Sequence, residues 1–126
     1  MTMPDELETT LDEMKSAHRS APFPDWQTRS ERLRKLERML LDRTAQIADA
    51  ISADFGHRSR HETEVLEVFP SIEGLRHARR RGEAWMRVRR VPVSIWFKPG
   101  SASLLPQPLG VVGIIVPWNY PLYLLI

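Results

Sequence analysis

The stretch PLGVVGIIVPWNYPLYLLI, residues 108–126, is the passage whose reading decides the fold. VVGIIV, at 111–116, is continuously apolar instead of alternating, which is the pattern of a parallel strand buried on both faces. Pro117 ends it. Pro121 suits the first turn of a helix, where its missing N–H costs nothing, and Leu122, Leu124, Leu125 and Ile126 continue that helix. The order is therefore strand, short turn, helix, with Pro117, Trp118, Asn119 and Tyr120 forming the turn. This is how an α/β nucleotide-binding sheet begins.

In open α/β sheets ligands bind outside the carboxyl ends of the strands, where a helix N-terminus offers N–H groups to an anion or to developing negative charge. Asn119 adds a neutral side-chain donor to that position. A neutral amide stabilises a transient oxyanion without the desolvation of a cation. Asparagine is equally suited to capping the helix, and position alone leaves both roles open. No membrane span is expected for the same run, because a span needs about 17 to 25 apolar residues, and Pro117, Asn119 and Pro121 interrupt the sequence.

Upstream, the periodicity is helical. Leu7, Leu11, Met14 and Ala17 recur at spacings of three and four, predicting an amphipathic helix over about 4–19 with Pro4 in its first turn. APFPDW breaks it. A longer helix is predicted from about 25 to 55, with Leu33, Leu36, Leu40, Ile47 and Ile51 on one stripe and Gly56 at its C-terminal cap. A third, from about 60 to 87, carries Val65, Val68, Phe69, Ile72 and Leu75 on one face, with Pro70 set to kink or restart it. The stripes read as core packing. RVPVSIWFKPGSASLLPQPLG then turns β-branched and aromatic, broken by Pro99 and Gly100, which predicts two extended strands joined by a turn.

Composition narrows the chemistry. Apolar residues at 42% and charged ones at 27% describe an ordinary globular chain, neither disordered nor fibrous. There is no cysteine, which excludes disulfides, thiolate metal sites and a cysteine nucleophile within these 126 residues. His57 and His61 are four apart, but the spacing straddles a helix start and lacks a third ligand, so no metal site is expected. The acidic N-terminal residues carry no apolar signal core and no Arg-rich transit pattern, and a cytoplasmic location is the expectation. Arg76, Arg79, Arg80, Arg81, Arg87, Arg89 and Arg90 form a basic cluster. Its simplest reading is a solvated helix end, balanced by Glu67 and Glu73 and favoured by the helix dipole, not a nucleic-acid patch. A noncatalytic helical binding module using the Arg76 to Arg90 cluster is the alternative.

The run QPLGVVGIIVPWNYPLYLLI resembles the amino-terminal signature of the aldehyde dehydrogenase superfamily, a strand containing Gly-Val-Val followed by Pro-Trp-Asn, Tyr or Phe, and Pro. Tyr120 and the upstream patterns EVFPSIEGLRHARRRGEAWM and SLLPQPLG are most similar to its bacterial coniferyl aldehyde dehydrogenases and class 3 members. The resemblance extends from about Trp26 onward. It implies an α/β fold with N-terminal helices over 1–87, oligomerisation-type strands over 88–108, and the first strand and helix start of a Rossmann-like cofactor domain over 109–126.

For the site, the resemblance implies that Asn119 is the side-chain donor to the oxyanion. Ile115, Val116, Pro117 and Trp118 would line the ribose and nicotinamide side of NAD or NADP, and Tyr120 would stand beside the substrate tunnel. The implied reaction oxidises an aldehyde to a carboxylic acid, through attack by a cysteine and hydrolysis by a glutamate-activated water. With no cysteine present, the chain is expected to be the amino-terminal portion of a longer enzyme, a homo-oligomer such as a dimer, and inactive alone. Exposed Val111, Ile114 and Ile115 are expected to favour self-association.

Overall fold

The structure, a computed structural model, describes residues 3–126. Helix α1 (Met3–Ser20) begins with Asp5 and Glu6 in its first turn and ends with His18 and Arg19 in its last, both favourable to the helix dipole. Leu7, Leu11 and Met14 lie exposed along it, so the stripe expected to pack into a core does not do so among the described residues. The chain forms two compact units, Met1–Asp25 with Glu83–Gly113, and Trp26–Gly82 with Ile114–Ile126.

In the second unit the predicted long helix is two: α2 (Trp26–Asp42) and α3 (Thr44–Phe55). The break at Arg43 has a local cause. The Thr44 hydroxyl donates to the carbonyls of Leu40 at 2.8 Å and Leu41 at 3.2 Å, a back-bonding that bends helices. Gly56 closes α3 with φ of 83°, a conformation only glycine adopts cheaply, and its N–H donates to the Ala53 carbonyl.

A helical rod then runs from α4 (Arg60–Thr63) through a π-helical turn (Glu64–Val68) into α5 (Phe69–Trp85). The π turn lies beside Pro70, whose ring and missing N–H are incompatible with regular α-helix at that point. It also changes the phase of the inward face. Thr63, Glu67, Val68, Ser71, Ile72 and Leu75 are buried, whereas Val65 and Phe69, expected on that face, are exposed. The core joins Leu40 of α2 to Val68, Ile72 and Leu75, with Leu33, Leu36, Ile47 and Leu122 packed around them. Full burial of a leucine such as Leu40 contributes about 1.5–3 kcal/mol. Trp26 lies so close to Gly82 that any side chain there would run into its indole ring.

Two of the seven clustered arginines are engaged within this unit. Glu37 of α2 accepts from Arg76 Nε at 2.7 Å and from Arg79 Nη1 at 2.6 Å, while Arg76 also reaches Glu73 at 2.9 Å. The hydrogen bond from Arg76 holds the Glu37 carboxyl below the ordinary carboxylate range; burial opposes this, and Arg79 adds to it. Arg76 is raised in turn, by Glu37 first and Glu73 second. Glu67, expected to balance the arginine cluster, instead faces Arg58.

The first unit contains the predicted hairpin, β1 (Arg89–Val91) antiparallel to β2 (Ala102–Leu104), with Arg89 opposite Leu104, Arg90 opposite Ser103 and Val91 opposite Ala102. A 3-10 turn (Ile95–Phe97) lies between them. Residues 111–116, expected to form a parallel strand, are in no ladder among the described residues. A strand exists by virtue of its hydrogen-bonded neighbours, and here the sheet consists of β1 and β2 alone. The final helix is present as α6 (Pro121–Leu125), with Pro121 in its first turn as predicted.

Candidate functional site

The turn 117–120 is held from beneath by Arg58 and Glu67. Arg58 directly follows the Gly56 reversal at the end of α3, and its side chain is almost wholly buried. Its Nη1 donates to the Asn119 carbonyl at 2.7 Å and stands 3.1 Å from the Glu67 carboxylate. Nη2 lies 3.4 Å from Glu62. The guanidinium carbon stacks 4.9 Å from the centre of the Phe55 ring and 4.8 Å from that of Tyr120. A desolvated cation–π contact of this kind contributes about 2 kcal/mol. Phe55 in turn meets Trp118, with ring centres 5.8 Å apart at a tilt of 53°.

Glu67 is fully buried, at 0% exposure. Its Oε2 accepts from the backbone N–H of Leu122 at 2.8 Å and of Tyr123 at 3.4 Å. The carboxylate therefore caps α6 from a distant part of the chain. Tyr120, at the N-cap position, makes no side-chain cap, and the cap does not come from Asn119. Two amides expected to await an anion at this helix start are already occupied by Glu67.

Two clefts flank the turn. One, of about 450 Å³, is lined by Ile51, Asp54, Phe55, Trp118 and Pro121. The other, of about 460 Å³, brings Asn119 and Tyr120 together with His57, Arg58 and Glu62. Asn119 is exposed while its backbone is fastened, an arrangement that presents an amide N–H donor to a ligand oxygen. Ile115 is 100% exposed and Trp118 77%, while Val116 is half-buried and Pro117 exposed. Together they leave apolar surface open beside the turn. Of the residues singled out from sequence, the structure thus brings Trp118, Asn119 and Tyr120 around Phe55 and Arg58. No group of three potential metal ligands occurs among the described residues, and none of their helices is long and apolar enough to cross a membrane.

Arg58 and Glu67 were not marked by motif reading. The regular helical period gave no signal for them, because Glu67 joins the face of Thr63, Ile72 and Leu75 only through the π turn. An acid on a buried face requires a partner.

Comparison with known proteins agrees with the turn. Residues 2–126 match the aldehyde dehydrogenase family. The chain is 40% identical over 119 residues to a probable coniferyl aldehyde dehydrogenase of Pseudomonas aeruginosa, covering 94% of this chain and 25% of that protein. It is 38% identical to the coniferyl aldehyde dehydrogenase of a Pseudomonas species, covering 95% and 24%. It is 36% identical to human aldehyde dehydrogenase family 3 member B1, covering 95% and 25%. The chain thus spans about a quarter of the length of these relatives. No solved structure shows significant similarity. A match that covers almost every residue, including the fastened PWNYP turn, shows that this chain belongs to the aldehyde dehydrogenase family.

Proposed function

We propose that this chain forms one wall of an NAD(P)-dependent site that oxidises an aldehyde, aromatic and similar to coniferyl aldehyde, to a carboxylic acid. The observation carrying this reading is the exposed Asn119 amide on a backbone fixed by Arg58. Asn119 donates a hydrogen bond to the carbonyl oxygen as negative charge develops there, a role in which a fixed neutral donor is most effective. Tyr120, half-buried against Arg58, borders the substrate with its ring. Ile115, Val116, Pro117 and Trp118 pack against the cofactor and exclude water from that side. When bound, NAD(P) supplies the hydride acceptor.

The nucleophilic cysteine is supplied from outside this sequence, which holds none, and the glutamate base is assigned there with it. In this reading residues 109–126 begin the Rossmann-like cofactor domain of the complete enzyme, 88–108 are its oligomerisation strands and 1–87 its helical segment, and that enzyme is a cytoplasmic homo-oligomer such as a dimer. The test is Asn119→Ala in the aldehyde dehydrogenase that carries this segment. Turnover falls about 100- to 1000-fold if Asn119 is the donor; unchanged turnover rejects the assignment.

A further inference from the structure

We infer that Glu67 and Arg58 are positioning residues for Asn119, holding its donor in line with the substrate from two points of one turn. The inference rests on the reading of Asn119 as that donor. Asn119 lies in a segment with no ladder hydrogen bonds before it and a helix of only five residues after it. Such a segment owes its direction to contacts made elsewhere. Arg58 Nη1 fixes the carbonyl of Asn119 itself at 2.7 Å. Three residues later, Glu67 Oε2 fixes the N–H of Leu122 at 2.8 Å. The two clamps are themselves an ion pair at 3.1 Å.

Burial makes this pair informative. Glu67 is inaccessible and the Arg58 side chain is 5% exposed, although each lies beside apolar groups that could have filled the same space. A buried ion pair gives little net stability over apolar residues of equal volume, so its stabilisation of the fold alone is a weak reason for it. Its hydrogen bonds to three backbone groups, the Asn119 carbonyl of the turn and the Leu122 and Tyr123 amides just after it, supply a stronger one. An oxyanion donor must sit within a few tenths of an ångström of its working place, and a misplacement of about 1 Å costs about 100-fold in rate.

The test combines two measurements on Glu67→Ala. Amide hydrogen exchange on the 126-residue chain reads the clamp without reference to activity. Exchange at Leu122 and Tyr123 accelerates by about tenfold or more beyond whatever acceleration the core amides of Leu40 and Ile72 show through the overall loss of stability. In the complete aldehyde dehydrogenase carrying this segment, kcat falls by about 100-fold with KM for the aldehyde within about twofold. Glu67→Gln, which retains an acceptor oxygen, restores part of both, and serves for the whole comparison if the alanine variant unfolds.

Exchange at Leu122 and Tyr123 that accelerates no more than at Leu40 and Ile72 overturns the inference. Faster exchange with undiminished kcat also overturns it, provided that Asn119→Ala lowers kcat in the same enzyme. If Asn119→Ala leaves kcat intact, the donor assignment has failed, and the exchange result alone then decides whether Glu67 fixes the turn.

Discussion

Arg58 and Asn119 are joined by a 2.7 Å hydrogen bond from the guanidinium to the backbone carbonyl, across 61 positions of sequence. The bond links the reversal after α3 to the turn before α6, so the end of one helix determines where the next begins. Around it, the Phe55 and Tyr120 rings lie with their centres 4.9 and 4.8 Å from the guanidinium carbon and shield it from water. A charge in this position is costly to leave unpaired.

Arg58→Ala therefore strands the Glu67 carboxylate in the interior. The expected loss of stability is about 3–5 kcal/mol, measured by urea denaturation. Replacing both members, Arg58→Met with Glu67→Leu, should cost less than the single change, because no buried charge is left behind. Equal losses in the two variants would mean that packing, not charge, dominates at this site.

The long apolar stripes and the hairpin were legible because each element's period is set by its own residues. The three expected helical regions, the Gly56 cap, the hairpin over 89–104 and Pro121 at the start of α6 all follow from local pattern. Local pattern did not reveal the π turn, since the extra residue at Glu64–Val68 answers Pro70 and the packing of the whole rod together. That one shift exposes Val65 and Phe69 and turns Glu67 inward. The PWNYP segment was readable as a turn before a helix from its residue types, but its two clamps lie 52 and 61 residues before Asn119, at Glu67 and Arg58. Only folding brings them beneath it. The strand at 111–116 depends on neighbours that no residue within the stretch supplies.

Leu40 and Leu11 separate packed from unpacked positions on helices of similar pattern. Leu40 is fully buried, and Leu40→Ala should cost about 2–5 kcal/mol. Leu11 is exposed at the surface of α1, and Leu11→Ala should change stability by no more than about 0.5 kcal/mol. Thermal or urea unfolding of the two variants checks the contrast. A large loss from Leu11→Ala in the 126-residue chain would show that α1 is covered in solution.

Gly82 tests the close approach of α2 and α5. A methyl group at this position overlaps the Trp26 ring, which belongs to the first residue of α2 and has to give way to admit it. Gly82→Ala should destabilise by about 1–3 kcal/mol despite the better helix propensity of alanine. Trp26 fluorescence should shift toward that of a more exposed indole. A stabilised variant would mean that the ring moves aside freely.

Glu37 gives the fold a defined dependence on pH. Arg76 and Arg79 face its carboxylate, and Arg76 is shared with Glu73. The carboxyl is held below its ordinary value of 4.5 by these cations, so the folded chain binds its proton less readily than the unfolded chain does. The resulting stabilisation is fully present above the ordinary carboxylate range and is lost as pH falls through the lowered folded value. As pH falls below about 5 the melting temperature should decline, and Glu37→Gln should decline less steeply because it has no proton to bind. The variant should start from a lower melting temperature at neutral pH, and the two curves should converge in acid. Parallel curves over the whole range would show that other carboxylates control the acid response.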